Sequence, residues 1–124
     1  MWVPSDVMQG RELFNRHGIK SWLQENTVLA DNGAIDIGAT LRMHSIAVLE
    51  RSIIGQGALF YEARTIYLNP RQDEAERLMT LGHEFGHFIL CQRQVSAEYS
   101  TAVEAACDIV GMHMLLPVST WSEL

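Results

Sequence analysis

With 124 residues, 48% of them hydrophobic, the chain has the material for one globular domain over residues 1–124, built on one core. Nine Lys and Arg against fifteen Asp and Glu leave a net charge of −6, which disfavours nucleic-acid binding through a basic surface. No apolar run reaches the roughly 18 residues of a membrane span. The N-terminal Met-Trp-Val-Pro-Ser-Asp lacks the regions of a signal peptide, so the expected compartment is the cytoplasm.

In chain order, Ser5 caps a first predicted helix reaching about His17, with Val7, Met8, Leu13 and Phe14 as its inward stripe and Gly18 as its stop. Residues 19–24 read as a short helical turn that docks Trp22 and Leu23, and Asp31-Asn32-Gly33 is a turn signal. Asp36 caps a short helix to about His44, with Ile37, Leu41 and Met43 inward. Residues 46–49 read as a strand, and 53–57 as a glycine-marked loop. Residues 58–61 and 65–68 form the two strands of a hairpin that Asn69-Pro70 terminates.

The next stretch organises the rest. Leu81-Gly82-His83-Glu84-Phe85-Gly86-His87 contains His-Glu-x-x-His. Four helical residues advance about 400°, so His83 and His87 stack on one face, one turn apart. Two imidazoles so placed can hold one Zn²⁺ from one side, and Glu84 beside them is placed to take a proton from activated water. The helix this requires is encoded. Asp73 and Glu76 form a capping-box pair, and Leu78, Leu81, Phe85, Phe88 and Ile89 recur at helical spacing. Gly82 and Gly86, beside the histidines, imply close approach of a neighbouring strand or a substrate. The alternative account makes His83 and His87 polar residues on a solvated face.

A catalytic zinc needs a third protein ligand. The best candidate is Glu104, on a helix predicted to start with Thr101 as N-cap and to run to about Leu116 before Pro117. Asp108, four residues on, shares its face and is suited to accept a hydrogen bond from the free ring nitrogen of one histidine. The competing reading leaves Glu104 as a capping residue and Asp108 as a solvated charge. Only three ligands are evident, fewer than a closed structural site uses. Cys91 and Cys107 make no disulfide framework. They read as small buried hydrophobes on the two site helices, although either could lie near the metal. His17, His44 and His113 lack ligand spacing and read as structural. Residues 118–124 resemble the start of a truncated helix.

The pattern predicts an α+β fold, with helices packed on a small three-stranded sheet in a minimal zincin-like core. The chemistry it supports is peptide-bond hydrolysis without a covalent intermediate. Glu84 is the base that later returns the proton to the leaving amine. Tyr99 and Tyr61 are the candidates for a second oxyanion donor, Tyr99 also being placed to pack or cap. A peptide substrate could add to a sheet edge, for which residues 58–61 are the best-placed segment.

Residues 36–117 resemble the ImmA/IrrE family of bacterial and phage metallopeptidases. The resemblance rests on Ile66-Tyr67-Leu68-Asn69-Pro70 before the helix, Thr80 to His87 on it, and Glu104…Asp108…Leu115-Leu116-Pro117 after it. It implies a minimal thermolysin-like protease in which His83, His87 and Glu104 hold Zn²⁺, with Mn²⁺ as an alternative, and Glu84 is the base. It also implies a partner, an XRE-type helix-turn-helix repressor that is cleaved or inactivated, with no direct nucleic-acid binding. The family often has Ala-Asn where this chain has Cys107-Asp108. A rival reading is a regulatory protein that sequesters such a repressor without cutting it, for which an intact Glu84 would be superfluous.

Overall fold

The computed structural model describes residues 4–95 and 100–124. Among these residues the helices are α1 (Pro4–Arg16), α2 (Ile19–Glu25), α3 (Ile37–Met43), α4 (Glu74–Gln92) and α5 (Thr101–Leu115), followed by a 3₁₀ helix (Val118–Glu123). The strands are β1 (Ala47–Glu50), β2 (Gly57–Phe60) and β3 (Thr65–Leu68). The architecture is α+β, as the patterning predicts. None of these helices is long and apolar enough to cross a membrane.

The sheet order is β1-β3-β2, with β3 central. β2 and β3 form the expected antiparallel hairpin, and β1 pairs parallel to β3 with Val48 opposite Ile66. Ile66 and Leu68 are buried while Thr65 and Tyr67 are half-buried, the period-two alternation of a strand with one face on the core. The hairpin turn closes through the Arg64 N–H donating to the Tyr61 carbonyl. β2 lies at one edge of the sheet, matching the expectation for residues 58–61.

Among the described residues α1 already includes Pro4 and Ser5, so Ser5 lies within the helix and is not its cap. Its inward face also differs from the predicted stripe. Phe14 is buried and Leu13 half-buried, but Val7 and Met8 are exposed. The buried residue in their place is Gly10, where a Cβ would lie 2.6 Å from that of Ala105 on α5. α1 therefore meets α5 through its smallest residue, and the larger side chains one turn back are pushed outward.

The Asp36 side chain caps α3 by accepting from the Ala39 N–H at 2.9 Å. Ile37 and Leu41 face inward, but Met43 is 52% exposed. The third inward position belongs to Thr40, whose hydroxyl accepts from the Val28 N–H and so is satisfied in the core. Residues 118–124 do not open a regular α-helix. They form the 3₁₀ helix, which seats Trp121 in the core with its indole N–H shared between the His113 and Leu116 carbonyls.

Candidate metal centre

The capping box predicted for α4 is present in full. Asp73 accepts from the Glu76 N–H at 2.8 Å, and the Glu76 side chain accepts from the Asp73 N–H at 3.2 Å. This fixes the start of a 19-residue helix whose middle carries His83, Glu84 and His87. The cap of α5 sits one residue earlier than expected. Ser100, not Thr101, accepts from the Val103 N–H, so Glu104 lies beyond the N3 position and is not the capping residue.

The glycines of α4 explain how the two helices meet. A Cβ on Gly82 would fall 2.7 Å from the Gly111 Cα, and one on Gly86 would fall 2.8 Å from the Cys107 Cα. The partner that approaches them is helix α5, not a strand or a substrate. Backbone contact at both points carries Glu104 and Asp108 up to the histidines.

Nε2 of His87 lies 2.6 Å from Glu104 Oε2, and Nε2 of His83 lies 3.6 Å from Glu104 Oε1. The two imidazole rings stand 5.1 Å apart at 69°. Nδ1 of His83 is 2.6 Å from Asp108 Oδ1, so the carboxylate holds the Nδ1 proton and leaves Nε2 facing the cluster. Two ring nitrogens and a carboxylate, converging with one nitrogen's tautomer fixed from behind, form a donor set that fits a divalent cation such as zinc. The Cys107 Sγ belongs to the same group. One donor atom from each of His83, His87, Glu104 and Cys107 lies within 4.8 Å of all the others.

The electrostatics follow from this crowding. Burial draws the His83 pKa down, but the hydrogen bond to Asp108 and the charges of Glu84, Asp108 and Glu104 outweigh it, and the net shift is upward. Burial dominates at His87, whose pKa is lowered despite Glu104. Glu84 is buried with its Oε2 4.0 Å from His83 Nε2. Burial raises its pKa, helped by Glu104 and opposed by His83 and by a hydrogen bond to the Leu59 backbone. Burial, followed by the carboxylates of Glu104, Glu84 and Asp108, pushes the Cys107 thiol well above the ordinary thiol range.

A cleft of about 370 Å³ opens on the cluster. His83, Glu84, Glu104 and Asp108 form one wall, and Ile54, Gly55, Gln56 and Gly57 the other, with Met79 and Thr80 also lining it. The second wall is locked to α4. Thr80 donates to the Gln72 side chain, which donates to the Gln56 carbonyl, and a Cβ on Gly57 would lie 2.6 Å from Thr80 Cγ2. The only sequence signal for this wall was its glycine content, which marked a loop without saying what it faced.

Tyr99 lies outside the described residues. Tyr61 packs on Phe88 at 5.5 Å and does not line the cleft. His44 hydrogen-bonds the Asn26 carbonyl and stacks on Trp22, while His113 packs between Phe14 and Trp121. Neither belongs to the donor cluster, and Cys91 does not join it either.

Compared with known families, residues 41–123 match a peptidase family described as the IrrE N-terminal-like domain. Neither the curated proteins nor the solved structures yield a significant match.

Proposed function

The chain belongs to the ImmA/IrrE family of peptidases, and from that premise we propose that it is a zinc-dependent endopeptidase whose target is an XRE-type helix-turn-helix repressor in the cytoplasm. The observation that carries the peptidase reading is the convergence of His83, His87 and Glu104 beside a buried Glu84, next to an open cleft that His83, Glu84 and Glu104 line. The repressor target is supported by the family resemblance, and the net charge of −6 fits action on a protein instead of on nucleic acid.

In this reading His83 and His87 hold the ion through Nε2, and Glu104 holds it through its carboxylate. When bound, the cation supplies Lewis acidity, lowering the pKa of a water toward about 7 and polarising a carbonyl. Glu84 takes the water's proton. The same proton is then passed to the leaving amine. Asp108 keeps the His83 ring oriented. An extended substrate can pair with the edge of β2, whose first residue, Gly57, lines the cleft, so that its scissile carbonyl passes over Glu84.

The test is incubation of the zinc-loaded protein with a purified XRE-type repressor encoded beside its gene. Loss of full-length repressor, reduced by about 10² to 10⁴ in Glu84→Gln, is the expected result. A stable complex without fragments, unchanged in Glu84→Gln, would overturn proteolysis and favour sequestration.

A further inference from the structure

The donor cluster contains a fourth member that the hydrolytic reading does not use. Cys107 lies three residues after Glu104 on α5, on the same side of the helix, and is fully buried. Its position is fixed from below by the backbone contact with Gly86, which sits between the two histidines on α4. The Cys107 Cα is therefore held against α4, and only rotation about its Cα–Cβ bond moves the thiol.

We infer that Cys107 is a fourth ligand of the same ion, closing its coordination in the resting protein. This inference rests on the metal reading given above. Tetrahedral zinc with bonds of about 2.0–2.3 Å separates its donor atoms by roughly 3.3–3.6 Å. The four donors here lie within 4.8 Å of one another, and His83 Nε2 and Glu104 Oε1 stand at 3.6 Å. Rotation about the Cα–Cβ bond of Cys107 and small side-chain adjustments close the remaining gap. On binding, the thiol loses its proton to solvent and the sulfur bonds to the ion as thiolate, so one proton is released per ion bound at this ligand. Two imidazoles, a carboxylate and a thiolate form a closed set. For hydrolysis, Cys107 would have to yield its place to water. Cys107 thus sets the resting peptidase in a latent state that substrate entry must open.

The experiment uses cobalt(II) in a Cys91→Ser background, where Cys107 is the sole thiol and the substituted side chain lies outside the cluster. After gel filtration, bound cobalt is measured by elemental analysis and the absorption spectrum is recorded. A thiolate-to-cobalt charge-transfer band in the near ultraviolet, together with the visible bands of a tetrahedral ion, is the expected result. The band should vanish in Cys91→Ser/Cys107→Ser, with zinc affinity at least about ten-fold weaker. Cobalt bound without the charge-transfer band overturns the thiolate ligand and leaves the metal reading standing. No retained cobalt overturns both.

Discussion

Gly82 and Gly111 face each other across the crossing of α4 and α5, so closely that a single methyl group on Gly82 would lie 2.7 Å from the Gly111 Cα. The neighbouring atom is backbone, so relief requires the helices to part. Gly82→Ala gains up to about 1 kcal/mol of helix propensity but incurs an overpacking cost of about 1–3 kcal/mol. We expect a lower melting temperature and weaker zinc binding, because Glu104 moves with α5. Gly38→Ala on α3 is the contrast. There the added Cβ would meet the far end of the flexible Arg42 side chain at 3.3 Å and Asp36 Oδ1 at an ordinary 3.8 Å, and the substitution should be neutral or stabilising. Thermal denaturation of the two variants should therefore give shifts of opposite sign, or one shift near zero.

Asp108 touches His83 through the nitrogen that faces away from the cluster. Asp108→Ala frees the ring to rotate and to change tautomer. Zinc affinity should fall about 10- to 100-fold, as measured by competition with a chromogenic chelator. Glu84→Gln, which removes the proposed base and no ligand, should bind zinc within a few-fold of the parent.

His113 is 3% exposed, with Nδ1 against the Ile109 carbonyl and Nε2 without a hydrogen-bond partner among the described residues. Burial lowers its pKa below 6.5, with Lys20 and Arg11 adding to the shift and the Ile109 carbonyl opposing it. The folded protein therefore binds fewer protons here than the unfolded chain does. The stabilisation is complete above about pH 6.5 and is lost as pH falls through the folded pKa. Between about pH 7.5 and 5.5 the urea midpoint of metal-free His113→Leu should fall less, or rise more, than that of the parent, a difference that isolates this ring from His83, whose shift has the opposite sign.

Trp121 is 2% exposed and donates its indole N–H to the end of α5. Trp121→Ala should cost about 3–5 kcal/mol. Trp121→Phe keeps most of the packing and should lose about 1–3 kcal/mol through the unpaired carbonyls. Denaturant unfolding distinguishes the two.

How far the sequence disclosed this structure depends on the range of the interactions involved. Asp73 and Glu76 are three residues apart and bond only to each other's backbone, so the start of α4 could be read directly. The alternating burial of Ile66 and Leu68 is equally local. Met8 and Met43 are exposed although the apolar stripe points them inward, because hydrophobicity says what can be buried, not what a neighbouring element covers. Gly10 holds the α1–α5 contact through the absence of a side chain, which no apolar periodicity registers. Cys107 is one helical turn from Glu104, so its nearness to the site was open to sequence reasoning, but its contact with Gly86 exists only once α4 and α5 cross. The Gln56–Gln72–Thr80 tie is likewise invisible until the chain is folded.

The loop holding Ile54 has a further consequence. Asn69 donates to the Ile53 and Gly55 carbonyls and receives the Gln56 carbonyl at its own N–H, while the Ile54 side chain lies wholly in solvent. The rim is thus held through its own main-chain carbonyls, which the Asn69 side-chain amide and N–H grip, while its outermost side chain, Ile54, makes no part of that grip. A substitution at residue 54 should therefore change the chemistry of the cleft's rim while leaving the loop's path intact.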